Sequence, residues 1–390
     1  MLGIYVHIPY CIQRCTYCDF TTFEQHSLRP PAQYLDLLLK EIRLRERFVP
    51  SKQISSLYFG GGTPSLFSPP LLQKIFSCLF DCGFVFLPDV EVTIEINPAT
   101  ITAETLAQYL YTGFNRFSVG AQSFSEMQLK SCGREHSVDD TLKTIELLRS
   151  HAVNFSLDLL FALPQQNSRD LAYDLDMIVS SEPKHVSPYI LTVPNGHPLS
   201  KNRPLENEQI EMFHLVDKKL CSAGFEQYEI SNYSKPGFES RHNICYWSDQ
   251  AYWGIGLSAH SYFPQRNLGL RFWNPKSMAL YEKQLEGLED ELLPITGVAC
   301  NQFEALKAHE ALTDYCHMHL RMNRGLQKAA ARRKFGAKKM TLLSSKMQKL
   351  LKEGLIEQSN SHWALSPQGR MVSNQVFLEL TFSAQELSAN

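Results

Sequence analysis

The sequence predicts an α/β fold: a parallel sheet with crossover helices, followed by a smaller C-terminal module of helices around a short hairpin. Three observations carry this. Over the first half of the chain, β-branched or aromatic runs alternate with helix-period stretches about six times, the grammar of strand, crossover and parallel strand. Polar and glycine-rich residues gather near the carboxyl ends of those runs, the edge at which barrel and open-sheet sites are assembled. From about Leu292 the pattern changes to amphipathic helices with a small hairpin around Trp363 and Leu365, the order of a winged-helix module. Alternation alone does not separate a curled barrel from an open, doubly wound sheet.

Taken in order, GIYVHIP reads as a buried strand ending at proline, and it leads into Cys11, Cys15 and Cys18 in a C-x3-C-x2-C array. Three thiolates on one loop can converge on a soft metal centre. A cubane cluster usually takes four cysteines, so three would leave one iron with an open position. Zinc completed by a distant His or Cys, or three unpartnered thiols, are the alternatives, because zinc pairs share such spacings. Residues 31–49 then place Tyr34, Leu35, Leu38, Ile42 and Leu44 at helical spacing. ISSLYF is a strand that runs into Gly60, Gly61, Gly62, Thr63 and Pro64. Such glycines let backbone approach a ligand, though a glycine run is also a plain turn.

A second helix precedes EVTIEI, where Glu95 is an acid inside an apolar strand, needing either a partner or water. A helix from Ala103 to Tyr111 leads to RFSVGAQ, ending at Gln122, and Arg134 follows in CGREHS. Its planar fork suits a carboxylate. After a helix around Val138 to Arg149, FSLDLLFAL sets Asp158 among apolar neighbours, a costly position without a partner. The next helix leads to HVSPYILTV, read as the sixth strand, and ALTDYCHMHLRMNRGL as a helix ended by Gly325. SSKMQKLLKEGLI and PQGRMVSNQVFLEL are the remaining helices.

Composition sets outer bounds. At 390 residues, 44% hydrophobic and 20% charged, the chain is an ordinary globular one. A formal net charge of -2 gives no global attraction to nucleic acid or anionic lipid. Ten cysteines, grouped at the start and otherwise scattered, fit a reducing cytoplasm better than a disulfide framework. The first residues do not read as a signal peptide, and no apolar run approaches the roughly 18 residues of a transmembrane segment. Arg332, Arg333, Lys334, Lys338 and Lys339 are expected to form a solvated helix face, with no nucleic acid partner.

The cysteine array with the following Asp19 and Phe20 resembles the radical S-adenosylmethionine (SAM) superfamily, and within it the family of oxygen-independent coproporphyrinogen III oxidase. The resemblance implies a partial (β/α)6 barrel and a winged-helix-like C-terminal domain that covers the site or docks clients. It implies a [4Fe-4S] cluster on Cys11, Cys15 and Cys18, with SAM chelating the fourth iron. Residue by residue, SAM contacts fall on Tyr5, Tyr17, Gly61, Gly62, Thr63, Glu95, Gln122, Arg134 and Asp158. The oxidases of this family continue as C-x3-C-x2-C-x-C, whereas Phe20 holds that place here, and they carry an extension where only ten residues precede Cys11.

The chain is more similar to the haem chaperone subgroup, whose array continues C-D-F. That subgroup's H-N-x-x-Y motif is matched by His242, Asn243 and Tyr246, and GFEQYEISNYSKPG resembles it too. Neutral imidazole is a common axial ligand of haem iron. Trp247, Tyr252 and Trp253 lie close by in sequence with Gly254 and Gly256, a grouping also suited to plain packing. The resemblance thus implies haem bound at His242 and Tyr246, haem-requiring client proteins, a cytoplasmic location, and a homodimer as an admissible assembly. Its domains would be 1–200, 201–291 and 292–390. The alternative is an enzyme that oxidatively decarboxylates the propionates of coproporphyrinogen III. An acidic residue that the family would place near Pro194 is missing.

Overall fold

The computed structural model describes residues 1–264, 268–287 and 302–388, so the expected boundary between 291 and 292 lies outside the described residues. The chain opens with β1 (Leu2–Ile8), which leads into β2 (Tyr10–Cys11) and β3 (Phe23–Glu24), a two-residue parallel pair bracketing the cysteine loop. Then come α1 (Pro31–Arg45), β4 (Gln53–Gly61), α2 (Pro69–Asp81), β5 (Val85–Ile96), α3 (Ala103–Thr112) and β6 (Arg116–Gln122). The series continues with α4 (Glu126–Ser131), α5 (Val138–Ser150), β7 (Asn154–Phe161), α6 (Ser168–Ser180) and β8 (His185–Ile190). β1, β4, β5, β6, β7 and β8 lie side by side in that order, each parallel to the next. This is the expected (β/α)6 arrangement.

Helix ends follow local chemistry. Proline opens α1 and α2, where its missing N–H costs nothing. Capping boxes start three more: Thr102 with Thr105 for α3, Ser137 with Asp140 for α5, Asn167 with Asp170 for α6. Two strand ends differ from expectation. β5 begins at Val85 rather than Glu91, and β8 stops at Ile190. The continuation over residues 191–193 leaves the sheet, and Arg203 donates to the Leu191 and Ala162 carbonyls there.

The sheet stays open. After α7 (Glu206–Ser222), β9 (Glu226–Glu229) and β10 (Asn232–Ser234) form a hairpin whose β10 pairs antiparallel with β8. α8 (Arg241–Trp247) then carries the chain to the opposite edge, where β11 (Ala251–Ile255) runs parallel to β1. Antiparallel β12 (His260–Phe263) and β13 (Leu270–Trp273) follow, and, past α9 (Met278–Gly287), β14 (Phe303–Ala305) completes 12 strands. Residues after 200 therefore build both edges of the barrel sheet. Along each strand, side chains alternate between helices and lumen. Leu57, Phe59, Val92, Ile94, Phe117 and Leu157 are buried under the helical layer, and each contributes about 1.5–3 kcal/mol of burial.

The remainder forms its own core around Leu312, Cys316, Leu343, Met347 and Leu365. It comprises α10 (Ala308–Arg321), β15 (Leu326–Gln327), α11 (Lys328–Lys352), β16 (Ile356–Gln358) and β17 (His362–Leu365), followed by α12 (Pro367–Met371), α13 (Ser373–Glu379) and α14 (Ala384–Ser388). β15, β17 and β16 pair antiparallel as the wing. The basic run is helical and broken at Gly336, whose φ of 81° suits glycine. Arg332, Arg333 and Lys338 are exposed, whereas Lys334 pairs with Asp249 at 2.5 Å. Among the described residues no helix is long and apolar enough to cross a membrane.

Candidate functional site

The lumen-facing residues of the curved sheet are mostly polar. Register sets Tyr58 beside Thr93, Glu95 beside Ser118, and Asp158 beside Ser187. They line a cavity of about 370 Å³ at the carboxyl ends of the strands. Its wall brings together Cys11, Cys15, Cys18, Tyr17, Gly61, Gly62, Thr63, Glu95, Gln122, Arg134 and Asp158. Tyr5, His242 and Tyr246 are not on that wall.

The cysteine loop is anchored at both ends. His7 lies under it, its Nε2 donating to the Thr21 carbonyl at 2.8 Å and its Nδ1 accepting from the Tyr5 hydroxyl at 3.0 Å. A ring that donates to a carbonyl on one side must be an acceptor on the other if neutral, and burial lowers the His7 pKa to about 4. Tyr5 thus supports the loop from below and does not meet the cavity. Burial pushes the Cys11 thiol up, and the Thr22 and Thr63 hydroxyls oppose that. Gly62 and Thr63 donate their N–H groups to the Ile8 and Tyr10 carbonyls at 2.8 and 2.6 Å. A Cβ on Gly62 would stand 2.5 Å from the Tyr10 oxygen, so close approach requires glycine there.

Both lumen carboxylates have partners, as their burial demands. Glu95 accepts from the Tyr58 hydroxyl at 2.8 Å and from the Gly61 N–H at 3.0 Å. Burial wins over those donors and raises its pKa to about 7. Asp158 is raised to about 6, again mainly by burial, against the Ser187 hydroxyl and the Arg116 cation. Gln122 ends β6 at a φ of 65°, a strained turn that aims its side chain at the cavity. Arg134 ties β6 to the cysteine loop: Nη2 donates to the Gly120 carbonyl at 2.9 Å, Nη1 to Cys15 Sγ at 3.5 Å and Nε to His136 at 3.2 Å.

The H-N-x-x-Y residues sit on α8 behind this wall. Glu91 accepts from the N–H groups of Arg241 and His242 at 3.0 and 3.1 Å, fixing the start of α8 against β5. The His242 ring is 1% exposed. Its Nδ1 lies 2.9 Å from Ser56 Oγ, its Nε2 lies 2.9 Å from the Tyr246 hydroxyl, and its face stacks on Tyr58 with centroids 5.0 Å apart. Burial holds it neutral, with a pKa of about 3. Of the motif, Asn243 alone lines the cavity. The neighbouring aromatics pack as core: Tyr246 is edge-on to Tyr252 at 4.6 Å, and Trp253 stacks on Phe84 at 5.8 Å.

Reading residue by residue misses Arg116, Ser118, Ser187 and Tyr189, all on the cavity wall. The signal was present for two of them. Arg116 and Ser118 share the two-residue phase of Gln122 along β6, so they face the same side.

The three loop thiols are the donor set available to a metal centre in this cavity. A tetrahedral zinc needs sulfurs about 3.8 Å apart, and among the described residues no three His, Cys, Asp or Glu side chains form such a cage. Each iron of a cubane takes one cysteine, so three thiols lining one cavity are a donor set it can use.

Comparison with known proteins bears on the family and the fold. Residues 5–178 match the radical SAM superfamily model, and residues 306–372 match the HemN C-terminal domain. The Heme chaperone HemW of Mycobacterium tuberculosis (strain H37Rv) is 31% identical over 385 residues, covering 96% of this chain and 93% of that protein. That of Bacillus subtilis (strain 168) is 31% identical over 388 residues, covering 97% and 98%. Among solved structures, coproporphyrinogen III oxidase (HemN) from Escherichia coli superposes with a TM-score of 0.80 at 20% identity, covering 97% of this chain and 90% of that one, a likeness of fold.

Proposed function

The chain belongs to the HemW family of radical SAM proteins, and from that membership we propose that it is a haem chaperone which binds a [4Fe-4S] cluster, SAM and haem and delivers haem to client proteins. The observation that supports this most is the convergence of Cys11, Cys15 and Cys18 on the same cavity as Gly61, Gly62, Glu95, Gln122, Arg134 and Asp158. The cysteines would hold the cluster. Bound there, a cluster with SAM supplies a one-electron donor beside a sulfonium. The protein's own residues would then have distinct tasks: the Gly61–Thr63 backbone would border the ligand, Glu95 and Asp158 would accept from it, and Arg134 keeps the Cys15 side of the loop in place. Cytoplasmic operation and haem-requiring clients are part of the same proposal.

Haem ligation by His242 has a stated requirement. The ring must give up its contact with Tyr246 or with Ser56 before a nitrogen lone pair can reach iron. Anaerobic reconstitution tests the proposal. The wild type should take up iron, sulfide and haem, with a Soret band that His242→Ala removes and a cluster that Cys15→Ala removes. Retention of zinc in place of iron and sulfide would overturn the cluster, and repeated turnover of coproporphyrinogen III to protoporphyrinogen would overturn the chaperone in favour of the enzyme.

A further inference from the structure

The inner end of the cavity holds a buried cation, Arg116. Arg116 is the first residue of β6 and lies deeper in the lumen than Ser118 and Gln122 of the same strand. It is 2% exposed, yet it lines the cavity. Among the described residues its Nε has no hydrogen-bond partner. Its ion-pair partner there is Glu91, at 3.9 Å, beyond hydrogen-bond range. Glu91 is also committed elsewhere, accepting from Arg241 N, His242 N and, at 3.4 Å, Ser240 Oγ. A buried guanidinium whose Nε–H is unmet is a costly arrangement.

The surroundings suit an incoming anion. Ser118, Ser187 and Asn243 place neutral hydrogen-bonding groups on the same wall. The two lumen carboxyls facing Arg116 are Glu95 and Asp158, and burial raises both. Glu95 already holds the Tyr58 hydroxyl and the Gly61 N–H, while Asp158 has the Ser187 and Ser118 hydroxyls beside it. Neither carboxyl is hydrogen-bonded to the guanidinium. Such a planar fork takes a carboxylate through two parallel N–H bonds.

We infer that Arg116 is the seat of a carboxylate carried by a second ligand that shares the cavity with SAM. On the haem reading, on which this inference rests, that group is a propionate of the macrocycle, and Arg116 ranks free propionates above blocked ones.

The test compares haem with haem dimethyl ester, titrated anaerobically into the cluster-loaded full-length protein and followed by Soret absorbance. The wild type is expected to favour the free acid by about tenfold, since a charge-assisted bond is involved. Arg116→Gln should bind both alike, and Arg116→Lys, which keeps charge and most of the volume, should retain part of the preference and guards against a folding defect. Equal binding of both compounds by the wild type leaves the haem reading standing and overturns the seat. Binding of neither overturns both. If Arg116→Gln loses SAM by equilibrium dialysis but keeps the preference for free propionates, the seat belongs to the methionyl carboxylate and the inference is overturned.

Discussion

Replacing Glu95 by Gln isolates one electrostatic liability of the cavity wall. The wild-type carboxyl has an ordinary pKa of 4.5 in the unfolded chain and about 7 in the fold, with burial the leading cause. Because the folded value is raised, the stabilising form is the acid. Its contribution is fully present below pH 4.5 and is lost as pH rises through 7. The ionised form would oppose folding by about 3 kcal/mol for full burial. One face of Glu95 borders the open cavity, so about 2 kcal/mol is the better figure. Gln can still accept from Gly61 N–H and donate to the Tyr58 oxygen, so the variant loses the titration and keeps the contacts. Urea unfolding of the cluster-free proteins at pH 5, 6, 7 and 8, read as the difference between variant and wild type, cancels the titration of His242 and other shared groups. The two should coincide near pH 5, and the variant should lead by about 2 kcal/mol at pH 8. A difference that stays flat, or that turns in favour of the wild type with rising pH, would show that the Tyr58 and Gly61 donors outweigh burial and would refute the reasoning.

Three further outcomes follow from the same packing. Gly62→Ala forces a Cβ to within 2.5 Å of the Tyr10 oxygen, so the glycine run must shift away from the cysteine strand; SAM binding by equilibrium dialysis should fall at least tenfold while circular dichroism keeps its shape. Trp253→Ala empties the space between β11 and Phe84, beside the β1 strand that leads into the cysteine loop, and should cost about 3–5 kcal/mol in urea unfolding. Ser56→Ala leaves His242 Nδ1 without its buried partner and should cost about 1–2 kcal/mol at pH 7.5, measured the same way.

Much of the fold was legible because local signals agreed with the global arrangement. Strand runs, capping residues and glycines appear in the order the sheet uses, and a strand-end residue such as Gln122 or Gly61 can be assigned to the active edge from chain direction alone. The edges were not legible. Nothing local says that Ala251 pairs with Leu2 while Tyr233 pairs with Val186, since those pairings depend on where a long crossover lands. Arg116 shows a second kind of failure. An arginine opening a strand looks like a surface residue unless its shared phase with Gln122 is followed back along the strand, and the register of six parallel strands is what turns that face inward.

His242 fails for a related reason, and its position changes how the two halves of the site must be viewed together. Its partners, Ser56 on β4 and Tyr58 beneath its ring, are 186 and 184 residues away in sequence, so the motif alone suggests an available imidazole and the fold supplies a committed one. The same Tyr58 hydroxyl holds Glu95, and Glu95 holds the Gly61 N–H. The backbone shelf at the cysteines and the imidazole on α8 are therefore joined by an unbroken line of two hydrogen bonds and one ring stack. Freeing the ring costs about 1 kcal/mol for each hydrogen bond surrendered, an amount that a bond from nitrogen to iron readily offsets. Release by a movement of the ring, rather than of Tyr246 or Ser56, would also remove the surface on which Tyr58 rests, and with it the geometry that fixes Glu95 toward Gly61. A haem site at His242 and a SAM site at Gly61 consequently cannot be independent unless Tyr58 keeps its place without the ring that now covers it.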